Sequence, residues 1–262
     1  MRIPLQIIPT TLLDEYKKTF DPVIREHFDL LDESELSSPA CNLSLAVAAV
    51  FSAGIEGDII EFQEYASHRL HSINDRSGVA WKMDNIYEAY KFAQNAKLTA
   101  ESLVEAHAIL MKNILHEPSR GVFRTQAKQI IWSEGHSTYV AAAPNLIFSE
   151  MLKWYVDLDQ ILNTDLDFAE VFYYASNLHL TLCTIQPFAD GNGLLARLVE
   201  KWFVAEKLGP KAWFIFSENY YFEYSSMYKI LLGKVGPDYQ SVDYREALFF
   251  LRMLPDALKN NM

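Results

Sequence analysis

Two amphipathic stretches joined by a glycine-rich loop set the tightest constraint on how this chain folds. From Phe168 to Leu182, the apolar residues Val171, Phe172, Ala175, Leu178 and Leu182 fall on one face of a helix. Further on, Leu195, Leu198, Val199 and Trp202 repeat the spacing i, i+3, i+4, i+7. Between them lies Asp190-Gly191-Asn192-Gly193, whose glycines are costly inside a helix. The pattern predicts two helices meeting at a tight loop, with the second beginning immediately after it.

Such a loop suits an anion. Glycine permits positive φ and close backbone approach. The first N–H groups of the following helix lack internal acceptors and point outward, and the helix dipole adds to their attraction for phosphate. Asp190 supplies a hard oxygen of the kind Mg²⁺ takes when it bridges phosphate oxygens. Arg197, about one turn into the helix, carries a fork of donors that matches phosphate. A plain turn with a helix cap would also read Asp-Gly-Asn-Gly, so the loop alone does not decide its function.

The remaining sequence is mostly helical in pattern. Half of the 262 residues are hydrophobic and 13% are aromatic, enough for a sizeable core. The opening reads as a proline-punctuated tail, followed by an acidic stretch from Asp29 to Glu35. An Ala/Leu/Val-rich helix follows, with Asn42 as its expected N-cap. Helical segments then run from Glu61 to Asn95, with a turn near Asn74 to Gly78, and from Thr99 through His107 to Ile114. One β-hairpin is predicted, with Gln129-Ile130-Ile131-Trp132 and Tyr139-Val140 flanking a polar turn that contains His136. A further helix beyond Pro144 carries Leu146, Met151 and Trp154, and the C-terminal stretch is helical and rich in tyrosine.

A net charge of −11 argues against a general nucleic-acid binder and against docking on anionic membranes. The two cysteines, Cys41 and Cys183, are far apart and lack metal-ligand spacing; Cys183 reads as a small buried hydrophobe. The N-terminal stretch is too short and proline-broken for a signal sequence, and no apolar run is long enough to span a membrane. The expected location is cytoplasmic.

The longer match is more specific. Gln186 to Arg197 reads Q-P-F-A-D-G-N-G-L-L-A-R. It resembles the H-P-F-x-[DE]-G-N-G-R-x-x-R motif of Fic-domain proteins (the Fic/Doc family) of the AMP-transferase type. Gly121-Val122-Phe123-Arg124 followed by Gln129-Ile130-Ile131 is similar to that family's lead into its β-hairpin flap. Ser52-Ala53-Gly54-Ile55-Glu56-Gly57 resembles its N-terminal inhibitory-helix motif, [ST]-x-x-x-E-[GN], and His107, His179 and Ile185 also sit at family-like positions. The resemblance runs from about residue 43 to 232.

This resemblance implies a mainly α fold, a Fic-type helical bundle with one small β-hairpin flap. It divides the chain into an N-terminal extension (1–41), N-terminal helices with the inhibitory helix (42–95), a Fic core (96–232) and a C-terminal helical tail (233–262). It implies ATP and Mg²⁺ as cofactors, with Asp190 as the metal ligand and Gly191, Asn192, Gly193 and Arg197 as the nucleotide-binding residues. Glu56 is implied as the inhibitory partner of Arg197. Ile130, Ile131 and Trp132 form the flap on which a target protein would dock as an added strand. A homo-oligomer is left open.

Two positions depart from the family motif. Gln186 stands where the family has the histidine that takes the proton of the target hydroxyl, and Leu194 stands where it has its first arginine. An amide has no proton-accepting state near neutral pH, whereas histidine titrates there. Losing such a base costs about 10²–10⁴-fold in rate. Leu194 extends the apolar face formed by Leu195 and Leu198. Neither His136 in the flap turn nor His179 replaces the base: the first reads as a solvated turn residue, the second as a structural histidine. Three readings follow: a nucleotide-binding or protein-binding module impaired in catalysis, a slow AMP transferase or related phosphate-group transferase held off by Glu56, and, more weakly, removal of AMP from a modified protein. The tyrosines at 220, 221 and 224 read as helix packing, with a nucleotide-base contact as the alternative.

Overall fold

A computed structural model describes residues 3–31, 39–71, 78–131 and 138–259. Helices α1 (Leu13–Thr19), α2 (Val23–Asp29), α3 (Pro39–Ile55), α4 (Phe62–His71), α5 (Gly78–Asn95) and α6 (Ala100–Leu110) form the N-terminal half. The hairpin follows as β1 (Gln129–Ile131) and β2 (Thr138–Val140). The C-terminal half comprises α7 (Pro144–Leu162), α8 (Phe168–Ile185), α9 (Asn192–Leu208), α10 (Ser217–Glu223), α11 (Ser225–Gly233), α12 (Leu248–Leu251) and α13 (Met253–Lys259). The expected mainly α bundle with one small hairpin is what the chain adopts.

At the centre is α8. It starts at Asp167, whose carboxylate accepts from Glu170 N at 2.9 Å while Glu170 returns a bond to Asp167 N at 3.0 Å. From Val171 to Ile185 every residue is buried, so the helix is enclosed on all sides and not only on the predicted stripe. It also runs three residues past Leu182, because Gln186 N closes the last turn onto Leu182 O at 2.9 Å. Its main partner is α9, which shares the core through Trp202, Leu195 and Leu198.

Two expectations about the N-terminal half change. Residues 3–31 are not a tail: α1 and α2 bury Tyr16, Ile24 and Phe28. Tyr16 meets Tyr173 edge-on at 5.3 Å, and Phe28 covers Phe168 at 5.5 Å. Ahead of α1, the N–H groups of Gln6, Ile7 and Ile8 all donate to the buried carboxylate of Asp157 on α7, at 2.7–3.0 Å. Next, α3 begins at Pro39 rather than at an Asn42 cap, since proline's fixed φ suits a first helical position. Asn42 instead accepts from Tyr87 OH on α5 at 2.8 Å. The turn between α4 and α5 lies outside the described residues up to Gly78, where α5 starts.

The start of α6 is as expected: Thr99 accepts from Ser102 N at 3.2 Å and Ser102 Oγ accepts from Thr99 N at 2.8 Å. In the hairpin, Gln129 pairs with Val140, Ile130 with Tyr139 and Ile131 with Thr138. Trp132 and His136 lie outside the described residues. On its far side β2 continues into a bridge between Val140 and Asp238, whereas among the described residues β1 pairs only with β2. Ile131 is 72% exposed at this edge. No helix among the described residues is long and apolar enough to cross a membrane.

Candidate active site

The α8–α9 loop is braced from below by aromatic and amide contacts. Phe188 is fully buried, stacked face to face on His107 with ring centroids 3.8 Å apart and bridged through its backbone to Phe123. His107 Nδ1 accepts from Gly121 N at 2.9 Å, which makes Nε2 the protonated nitrogen that donates to Asp190 O, also at 2.9 Å. Burial pushes the His107 pKa down to about 4, so the ring stays neutral and holds one tautomer. Asn192 closes the loop: its Oδ1 accepts from Phe188 N at 2.9 Å and its Nδ2 donates to Phe188 O at 2.8 Å. Both ends of the Asn192 amide are therefore tied to the loop.

Gln186 caps α8 in the left-handed region, with φ 52° and ψ 62°. Its amide folds back, Nε2 donating to Cys183 O at 3.0 Å. Arg124, buried beneath it, holds the same backbone in place. Arg124 Nε donates to Gln186 O at 2.7 Å, Nη1 to Gln126 O at 2.6 Å and Nη2 to Ala142 O at 2.5 Å. One guanidinium thus fastens the end of α8 to both arms of the hairpin. Cys183 is a buried free thiol, as its apolar surroundings predict, and burial pushes its pKa up to about 12.

Above this frame the loop opens onto a cavity of about 460 Å³. Gln186, Asp190, Gly191, Asn192 and Gly193 line it from the loop. Arg197 and Glu56 line it from α9 and the end of α3, and Ile130 and Ile131 from the hairpin. The structure therefore gathers every predicted site residue it describes around one space.

Asp190 is exposed, with Oδ1 accepting from Gly191 N at 2.8 Å. Gly191 is the N-cap of α9 at φ 73° and supplies no capping side chain, so the first N–H groups of α9 are left for solvent or an anion. Among the described residues no cluster of three or more His, Cys, Asp or Glu could hold a metal ion. Mg²⁺ nevertheless fits this donor set, because it commonly takes one or two carboxylates and completes its shell with phosphate oxygens and water.

Arg197 is 1% exposed, and its guanidinium is bonded to Ser52, Glu56 and Tyr228. Nη2 donates to Glu56 Oε1 at 2.7 Å and to Ser52 O at 3.1 Å, Nε to Ser52 Oγ at 2.9 Å and Nη1 to Tyr228 OH at 3.4 Å. Glu56 itself is 43% exposed, so its end of the pair faces the cavity. A Cβ at Gly193 would stand 2.6 Å from Glu56 Oε1, so glycine at that position is what lets the carboxylate approach. Leu194 is buried and continues the apolar face of α9.

His179 is buried and structural, with Nε2 2.8 Å from Tyr228 OH and Nδ1 3.2 Å from Glu200 Oε2. Of the three tyrosines, Tyr221 is buried and donates to Glu200 at 2.8 Å, while Tyr220 and Tyr224 pack on one another at 4.7 Å; none of the three borders the cavity.

Tyr228 and Lys128 also line the cavity and have no signal in the sequence pattern. Tyr228 borders the cavity from α11 and steadies Arg197. Lys128 stands just ahead of β1 and donates to Ala189 O at 2.6 Å. Burial lowers the Lys128 pKa from its ordinary value; Asp190 and Glu56 push it back up and Arg124 pushes it down. A lysine four residues past the Arg124 anchor marks a charge near the hairpin but not its direction.

Comparison with known proteins agrees with this architecture. Residues 97–204 match the model of the Fic/DOC family, so the chain contains a Fic/DOC-family domain that spans α6 to α9 with its loop. Among solved structures, a Fic family protein from Desulfovibrio desulfuricans is 19% identical with a TM-score of 0.77, covering 99% of this chain and 76% of its own. A Fic domain containing signaling protein from Bacteroides thetaiotaomicron is 15% identical with a TM-score of 0.65, covering 98% and 95%. Fic-1 (residues 134–508) from C. elegans is 15% identical with a TM-score of 0.60, covering 95% and 70%. At these identities the likeness is one of fold. No significant match is found among curated proteins.

Proposed function

We propose that this chain binds a magnesium-bound nucleoside triphosphate, ATP by family resemblance, in the cavity above the α8–α9 loop. We propose further that its transfer of AMP to a protein hydroxyl is impaired. Proteins of this family transfer phosphate-containing groups such as AMP to other proteins. Asp190 would hold the metal through its exposed carboxylate, and the N–H groups at the start of α9 would receive phosphate oxygens. When bound, Mg²⁺ supplies charge neutralisation to the phosphates. The exposed β1 edge beside Ile131 would hold a target segment by strand addition.

The observation that carries the impaired reading is the Gln186 side chain. Its amide nitrogen is committed to Cys183 O, and an amide has no basic form to accept a hydroxyl proton. The second reading, a slow transferase restrained by Glu56, is favoured by the Glu56–Arg197 pair, which occupies the guanidinium a phosphate would otherwise engage.

Labelled ATP, offered to the protein alone and with lysate proteins, separates the two. Under the first reading, wild type and Glu56→Gly transfer no label and Gln186→His/Glu56→Gly does. Label from Glu56→Gly alone would establish the restrained transferase instead. Calorimetry with Mg²⁺ and ATP on Glu56→Gly tests binding itself, and absence of binding overturns the nucleotide assignment.

A further inference from the structure

The cavity holds a cation that this reading leaves without a task. Lys128 is half-buried, lines the space around the loop, and spends one donor on Ala189 O, the residue before Asp190. An ammonium has three N–H donors, so two are left over. Among the described residues no carboxylate stands within 4.0 Å of it. Arg197 differs in both respects, being fully buried and bonded to Ser52, Glu56 and Tyr228.

The start of α9 also lacks a side-chain charge of its own. Its first turn is Asn192-Gly193-Leu194-Leu195, where Asn192 braces Phe188 and both leucines are buried. Backbone dipoles attract an anion there, and the positive charge that α9 itself carries to the cavity, Arg197, is paired with Glu56; an unpaired charge comes from another element. The bond to Ala189 O keeps the Lys128 head group beside that loop, and the segment that carries it is pinned by Arg124.

We propose that Lys128 is a phosphate-binding residue of this cavity, joining the Ala189 carbonyl to an anionic oxygen held at the start of α9. It sets a preference for polyphosphate-bearing ligands over uncharged ones. The identity of the ligand as a nucleotide rests on the function proposed above; the role of Lys128 toward phosphate does not.

The test is calorimetry on the full chain in the Glu56→Gly background with Mg²⁺ present, using inorganic tripolyphosphate, ATP and adenosine as probes. Lys128→Gln is expected to weaken tripolyphosphate and ATP about tenfold and to leave adenosine unchanged. Lys128→Arg should stay within about threefold, since it keeps the charge. Exposed Lys97→Gln, which makes the same change in net charge, should have no effect. Lys229→Gln, at another border of the cavity, should weaken binding less than Lys128→Gln.

Thermal melts check that each variant folds, and Lys128→Met replaces the glutamine variant if that one melts early. Unchanged tripolyphosphate affinity in the Lys128 variant overturns the inference while leaving nucleotide binding intact. Tripolyphosphate binding that depends on Lys128, with ATP bound no tighter than tripolyphosphate, sustains it and removes the nucleotide reading. If neither anion binds, both fall.

Discussion

Arg124 carries more of the site's geometry than any residue that faces the cavity. Its guanidinium is buried, has no carboxylate partner among the described residues, and donates to the carbonyls of Gln186, Gln126 and Ala142. Removing it leaves the Gln186 and Ala142 carbonyls without this donor in a buried place. Arg124→Gln should cost about 2–4 kcal/mol in urea denaturation. Arg124→Lys should recover less than half of that loss, because a compact ammonium cannot span the fork of acceptors. A loss under about 0.5 kcal/mol, the level of an ordinary surface change, would remove Arg124 from this role. The position is visible in the sequence as part of a motif, but its partners are not: they are main-chain oxygens, and a carbonyl leaves no trace in the residue types. The same limit applies to Asn192. Its place among the glycines suggests a ligand contact, whereas its amide is bonded on both sides to Phe188.

The helices were legible where apolar residues recur at helical spacing, as in α6 after Thr99 and along α8 and α9. Legibility failed where a distant partner sets the structure. Residues 3–12 have no helical spacing and read as a tail, yet Asp157, about 150 positions away, collects three of their N–H groups. A carboxylate buried on α7 looks anomalous until that strap is placed over it. Asp157→Asn replaces an acceptor-only group with one that turns N–H toward N–H, and should cost about 2–3 kcal/mol. Amide exchange in residues 5–10 should quicken more than exchange in α8. Uniform quickening across the chain would instead mark Asp157 as a general core residue and not the anchor of this strap.

Across the whole molecule, the N-terminal helices and the active-site helices share one aromatic layer. Phe20 and Phe28 lie over Phe168 and Phe172 at the start of α8, whose other end carries the loop. Removing residues 1–31 would uncover that layer, and exposed aromatic patches of this kind promote association. The truncated chain should bind hydrophobic dye and give a lower melting temperature and soluble yield than the full chain. An unchanged melt would show that α8 is supported without them. The mainly α class with one hairpin was readable from periodicity alone, but this coupling of the extension to the site was not, because it depends on which aromatic faces meet. The backbone at Gln186 has one more consequence. Its left-handed turn is held by Arg124 and by the closing bond to Leu182, neither of which involves the side chain at that position. Histidine tolerates this backbone region. The codons for glutamine and histidine differ only in their third base, so a single nucleotide change carries this gene between an amide and an imidazole on an unaltered scaffold.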